Sequence, residues 1–147
     1  MSASGVDSGA VRVVGLGAAV LIAAAAGAYF LLRGTPPPPP AEVAADPLLL
    51  AGREIYLARC VGCHGETGHG DGPIAKGLKG PRVRDLTSPE WKYGERPDQV
   101  LSVLREGTRD SAMPGWGKTF DEGELRGVAA YVYYLGERRI PPELRRP

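Results

Sequence analysis

Cys60-Val61-Gly62-Cys63-His64 gathers most of the reactive side chains of this sequence into five positions. The chain has only two cysteines and two histidines, and three of those four residues stand here. C-x-x-C-H is the spacing at which a c-type haem is attached. Two thiols at the end of a helix each add to one vinyl group of the same porphyrin, and the next residue, His64, supplies a proximal nitrogen to the iron. Three other chemistries compete for these residues. A thioredoxin-like redox pair wants its first cysteine at a helix N-terminus inside a βαβ unit, whereas this pair follows a helical pattern with no strand nearby. A zinc site built from Cys60, Cys63, His64 and His69 crowds four ligands into ten residues. A plain Cys60–Cys63 disulfide leaves His64 without a role.

An iron held by His64 needs a second axial partner from elsewhere in the chain. Of the two methionines, Met1 is the initiator, so Met113 is the thioether left. It stands in Ala112-Met113-Pro114-Gly115-Trp116-Gly117, where proline and glycines fix the backbone instead of continuing a helix. A neutral thioether favours ferrous iron and raises the reduction potential. His69 is the rival, but five residues after His64 it is too near in sequence to reach the opposite face of a porphyrin. The expected cofactor-binding residues are therefore Cys60, Cys63, His64 and Met113, with His64 and Met113 on the metal and no catalytic residue. A haem enzyme or gas sensor needs an open iron position, which Met113 closes, so the expectation is a carrier and not an enzyme.

Helices must position these groups. Asp46-Pro47 reads as an N-cap and first-turn proline opening a helix through LLLAGREIYLARC, with Leu48, Leu49, Ile55 and the Gly52/Tyr56 pair on its apolar face. The glycine-rich stretch from Gly62 to Gly80 predicts loop with a short turn around Ile74–Leu78. Residues 97–106 predict a short helix stopped by Gly107, with Val100, Val103 and Leu104 inward. The clearest helix runs from Asp121 to Gly136, with Asp121 and Glu124 as a capping box and Leu125, Val128, Tyr131, Val132 and Leu135 as the buried stripe. No alternating strand pattern appears, so the fold class is all-α. With 21 glycines and 14 prolines among 147 residues, much of the chain must be turn, and a small loop-rich domain benefits from a bound group that fills part of its core.

The flanks carry other signals. Residues 1–12 are a small, polar N-terminal segment. Residues 13–32 are free of charge and as a helix reach roughly 30 Å, the thickness of a bilayer's hydrocarbon layer. They read as a transmembrane anchor, with a cleaved signal peptide as the rival. Residues 33–46 form a Pro-rich linker in which Pro36 to Pro40 favour a semi-rigid polyproline stalk. Residues 47–140 are the globular domain, and 141–147 a tail. The four arginines between Arg138 and Arg146 read as an ordinary solvated surface, or as a contact for lipid headgroups or a partner. A net charge of +1 without like-charge runs gives no support to nucleic-acid binding.

Taken together, GREIYLARCVGCHG, TGHGDGPIAKGL, DLTSPEW, SAMPGWG and the terminal VAAYVYYL resemble the mono-haem, His/Met-ligated cytochromes c, in particular the small membrane-anchored ones of bacterial respiratory chains. The resemblance covers Leu48 to Leu135. It implies an all-α cytochrome c domain with one haem c held through Cys60 and Cys63. Gly52 and Tyr56 of the first helix would cross Tyr131 of the last, and a proline carbonyl, nearest Pro81, would accept from the proximal His64. Arg82, Arg84 and Trp91 are candidates for the haem propionates, with a solvated role as the alternative. The implied function is electron transfer by a tethered carrier, or by a fixed subunit of a larger oxidase or dehydrogenase. The implied partners are a membrane dehydrogenase or cytochrome complex as donor and a terminal oxidase or other acceptor. The implied location is the bacterial cytoplasmic membrane, crossed once, with the haem domain on the periplasmic side.

Overall fold

A computed structural model describes residues 36–146 and, upstream of them, Leu21, Ala24, Ala25, Gly27 and Ala28. The chain divides into two compact units, Met1–Pro37 and Pro38–Pro147. In the first, Leu21, Ala24, Ala25, Gly27 and Ala28 are helical and exposed; the rest of the expected anchor at 13–32 lies outside the described residues. Among the described residues no helix is long and apolar enough to cross a membrane.

The second unit is helical. Its elements are α1 (Ala41–Ala44), α2 (Pro47–Arg59), α3 (Val61–His64), a 3₁₀ turn (Ala75–Gly77), α4 (Pro97–Glu106), α5 (Glu122–Leu135) and a second 3₁₀ turn (Pro142–Arg145). Among the described residues the one β feature is an isolated antiparallel bridge between Gly107 and Pro114. The helix ends follow local chemistry. Asp46 caps α2 by accepting from the amides of Leu48 at 3.0 Å and Leu49 at 3.3 Å, which satisfies donors that have no partner inside the helix. At α5 the Glu124 amide donates to Asp121 Oδ1 at 2.9 Å while the Asp121 amide donates to Glu124 Oε2 at 2.8 Å. The capping box is complete.

The core is the crossing of α2 and α5. A Cβ at Gly52 would stand 1.9 Å from the carbonyl oxygen of Gly127, so the two backbones meet at a distance that excludes any side chain at position 52. One turn on, Tyr56 is fully buried and meets Tyr131 edge to face, ring centroids 5.3 Å apart. Its hydroxyl donates to the Gly65 carbonyl at 2.6 Å. The crossing of Gly52 and Tyr56 with Tyr131 stands as the sequence implies, with Gly127 as the partner that hydrophobic periodicity passes over. Helix α5 buries more than one stripe: Ala129, Ala130 and Tyr133 join Leu125, Val128, Tyr131 and Val132 in the core.

The packing reaches beyond the expected limits of 47 and 140. Val43, inside the expected linker, is fully buried, and Leu144, inside the expected tail, is 1% exposed. Tyr134 Oη donates to Glu42 at 2.8 Å and Arg145 to Asp46 at 2.7 Å, which ties residues 42–46 to the C-terminal part of the same unit. Single apolar residues between prolines and charges carry no periodicity, which is why the sequence reads the first segment as linker and the second as tail.

Candidate functional site

The pentad sits where α2 gives way to the single turn α3. The Cys60 amide still belongs to α2, donating to the Tyr56 carbonyl at 2.8 Å, while the amides of Cys63 and His64 both donate to the Cys60 carbonyl. Gly65, at φ 77°, then turns the chain back on itself. This left-handed position favours glycine, and a Cβ there would have to displace the Asp71 carboxylate, whose Oδ1 would stand 2.0 Å away. The returning loop fastens the pentad through its carbonyls: Gly70 donates to His64, Gly72 to Cys63 and Ile74 to Gly62, at 2.8–3.1 Å.

His64 Nδ1 lies 3.3 Å from the Arg84 carbonyl oxygen. A carbonyl only accepts, so Nδ1 carries the proton and Nε2 keeps the lone pair a metal needs. The acceptor differs from the expected Pro81, which instead stands in the cavity wall. A backbone carbonyl can come from any residue, and loop length decides which one arrives. Burial lowers the His64 pKa against a smaller opposing effect of the Arg84 bond, which favours the neutral imidazole. Burial, with Cys63 close by, pushes the Cys60 thiol up to about 11. Both cysteines are free.

Cys60, Cys63, His64 and Met113 all line one cavity of about 360 Å³. Leu86, Trp91, Val100, Leu104, Val128 and Val132 supply apolar wall from the 86–91 loop, α4 and α5. The loop bearing Met113 is pinned at each step. The Met113 amide donates to Ser111 Oγ at 3.2 Å, its carbonyl accepts from Thr108 at 3.1 Å, and the Thr108 and Ser111 hydroxyls bond each other. Beyond it Trp116 and Gly117 donate to the Leu104 and Arg105 carbonyls at 2.8 and 3.1 Å, which satisfies the C-terminal end of α4. Gly107, at φ 73°, leaves no room for a Cβ, which would meet the Met113 and Pro114 backbone at 2.6 Å.

The other sequence candidates fall elsewhere. His69 is exposed, its Nδ1 3.1 Å from Thr87 Oγ1 and 3.5 Å from Asp85, and it takes no part in the cavity wall. Among the described residues no three His, Cys, Asp or Glu side chains converge as a metal-binding group. Arg82 and Arg84 stand in the wall with exposed side chains, whereas the Trp91 indole donates to the Leu86 carbonyl at 2.9 Å. The residues fit a covalently attached haem. Two free thiols, an imidazole nitrogen with its lone pair preserved and a thioether share one apolar chamber, the donor set of a His/Met-ligated c-type haem.

Comparison with known proteins points to the same class, c-type cytochromes. The cbb3-type cytochrome c oxidase subunit CcoP of Azospirillum sp. (strain B510) is 32% identical over 85 residues, covering 58% of this chain and 28% of that protein. Subunit FixP of Azorhizobium caulinodans is 30% identical over 90 residues, covering 61% and 28%. CcoP of Rhodobacter capsulatus (strain ATCC BAA-309) is 32% identical over 93 residues, covering 58% and 29%. The chain thus spans under a third of the length of the curated relatives it matches. Among solved structures, a chain of the reducing HAO-like protein complex of Kuenenia stuttgartiensis superposes with a TM-score of 0.57 at 29% identity, covering 69% of this chain and 47% of that one. Residues 47–132, more than half of the sequence and the part that builds the cavity, match the family described as cytochrome c oxidase, cbb3-type, subunit III, and the chain belongs to that family.

Proposed function

We propose that this chain transfers single electrons through one haem c, attached through Cys60 and Cys63 and held axially by His64 and Met113. The bound group supplies reversible one-electron chemistry at its iron. The protein's part is to fix the donors and exclude water: the Arg84 carbonyl orients His64, the 107–117 loop holds Met113, and the apolar wall keeps the chamber dry. The observation that carries this reading is the meeting of Cys60, Cys63, His64 and Met113 in a single apolar cavity. With the thioether filling the second axial position the chain is a carrier and not an enzyme. Acid–acetone extraction tests the attachment: the colour is expected to stay with the polypeptide, and haem passing into the organic phase would refute it.

The 13–32 segment serves in this reading as a single membrane anchor in the bacterial cytoplasmic membrane. The prolines after it hold the haem domain in the periplasm, between a dehydrogenase or cytochrome complex as donor and a terminal oxidase as acceptor. A tether confines the search for partners to a plane and raises effective concentration. A fixed place within an oxidase is the second reading, favoured by the names of the relatives, all oxidase subunits. Solubilisation in mild detergent separates the two, since a fixed subunit co-purifies stoichiometrically with its complex and a carrier does not.

A further inference from the structure

We propose that Arg138 is a positioning residue of the haem site, which clamps the tryptophan wall of the cavity from behind and holds a fixed positive charge one indole away from it. The inference rests on the haem reading above and goes beyond it. Arg138 lies just past α5 in a segment that reads from sequence as solvated surface, yet its side chain is only 19% exposed. Nη1 bonds Glu95 at 2.7 Å, and Nη2 donates to the carbonyls of Ser88 at 2.9 Å and Pro89 at 2.8 Å. The guanidinium carbon stands 4.4 Å over the centroid of the Trp91 ring. Trp91 is held on its other contacts by the Leu86 carbonyl and by the Tyr133 ring, 5.2 Å away. Tyr133 Oη in turn donates to the Glu95 carbonyl. Leu86, Ser88, Glu90 and Trp91 all belong to the cavity wall, so one guanidinium ties together the loop that forms it. Lysine cannot copy this arrangement, because only the planar fork reaches a carboxylate and two carbonyls while stacking on an indole.

The same placement has an electrostatic consequence. A charge largely removed from water is weakly screened, and the ferric centre carries one more positive charge than the ferrous. A fixed cation beside the chamber therefore favours the reduced form and raises the midpoint potential. Glu95, 45% exposed, offsets part of that field. Removing the two partners must then move the potential in opposite directions, which a merely structural role would not produce.

Redox titration of the purified, membrane-extracted holoprotein provides the test. Arg138→Gln is expected to lower the midpoint potential, reducing the ferrous-to-ferric ratio at a fixed ambient potential by about threefold or more. Glu95→Gln is expected to raise it. Arg138→Lys keeps the charge and loses the fork, so its potential should lie nearer the unmodified protein than that of Arg138→Gln while its thermal midpoint falls. If Arg138→Gln fails to accumulate with haem, Glu95→Gln decides alone: a rise supports the proposal, and no change or a fall overturns it. Potentials that ignore both substitutions, or shift together in one direction, overturn it as well. Absence of covalent haem from the unmodified protein would instead defeat the underlying reading, and this proposal with it.

Discussion

Met113 enters the cavity from a loop whose backbone groups are already committed on both sides, to Ser111 and to Thr108. Holding the loop in place costs the thioether little further ordering when it meets a ligand, which is the benefit of preorganisation. Substituting Met113→Ala should therefore remove one interaction and leave the scaffold intact. The ferric protein should lose the weak long-wavelength absorption that marks thioether sulfur on iron, the ferrous protein should begin to bind carbon monoxide readily, and the midpoint potential should fall. Haem should stay attached, since Cys60, Cys63 and His64 are untouched. Rapid carbon monoxide binding by the unmodified protein would show an open site and defeat the carrier reading. That these four candidate residues belong together was legible in the sequence, and the cavity they share agrees, because the chain offers so few alternatives: two cysteines, two histidines and one methionine beyond the initiator. The Arg84 carbonyl was not legible, since a backbone acceptor leaves no residue type to read. Nor was Arg138, whose neighbours in space lie some fifty positions earlier in the chain.

Helix α2 carries the pentad at its end, so the angle at which it crosses α5 decides where the thiols and His64 point. That crossing is set by glycine against glycine, and the two positions are unequal. A Cβ at Gly52 would collide with the Gly127 backbone at 1.9 Å, whereas one at Gly127 would meet Gly52 and Leu48 backbone atoms at 3.3–3.4 Å. Gly52→Ala must push the helices apart and is expected to destabilise the holoprotein by about 3 kcal/mol or more. Gly127→Ala should cost less than half as much, since a few tenths of an ångström suffice and alanine is the better helix former. Urea titration of both variants checks the order, and equal losses would contradict this account of the contact. Periodicity located α2, α4 and α5 because each buries a regular face, and the Asp46 and Asp121 caps stand where the sequence puts them. What periodicity missed are elements too short to show a period, namely α1 with Val43 and the closing 3₁₀ turn with Leu144.

Across the whole molecule, the proposed chemistry and the proposed tether fall in separate stretches of chain. The compact unit beginning at Pro38 holds every proposed haem ligand. Acidic and basic residues balance beyond residue 33, so a large net charge does not steer that unit to its partners. Proximity supplied by a membrane anchor is then the more effective route to fast encounter. The proposed anchor at 13–32 is flanked by Arg12 on one side and Arg33 on the other, so the positive-inside rule does not choose an orientation. The proposed orientation rests instead on where c-type haem is attached in the family the sequence resembles, outside the cytoplasmic membrane. Protease added to intact spheroplasts should therefore cut in the Pro-rich segment and release a haem-staining fragment of the size of the Pro38–Pro147 unit. The helix crossing should protect that unit from further digestion. Membranes washed free of the fragment should retain the short N-terminal piece. A haem-staining band that resists protease until the spheroplasts are lysed would reverse the topology. If haem-stained protein appears in the periplasmic fraction without any protease, and its N-terminus lies near Ala28, residues 13–32 are a cleaved signal and the tether is absent, while electron transfer by the domain still stands.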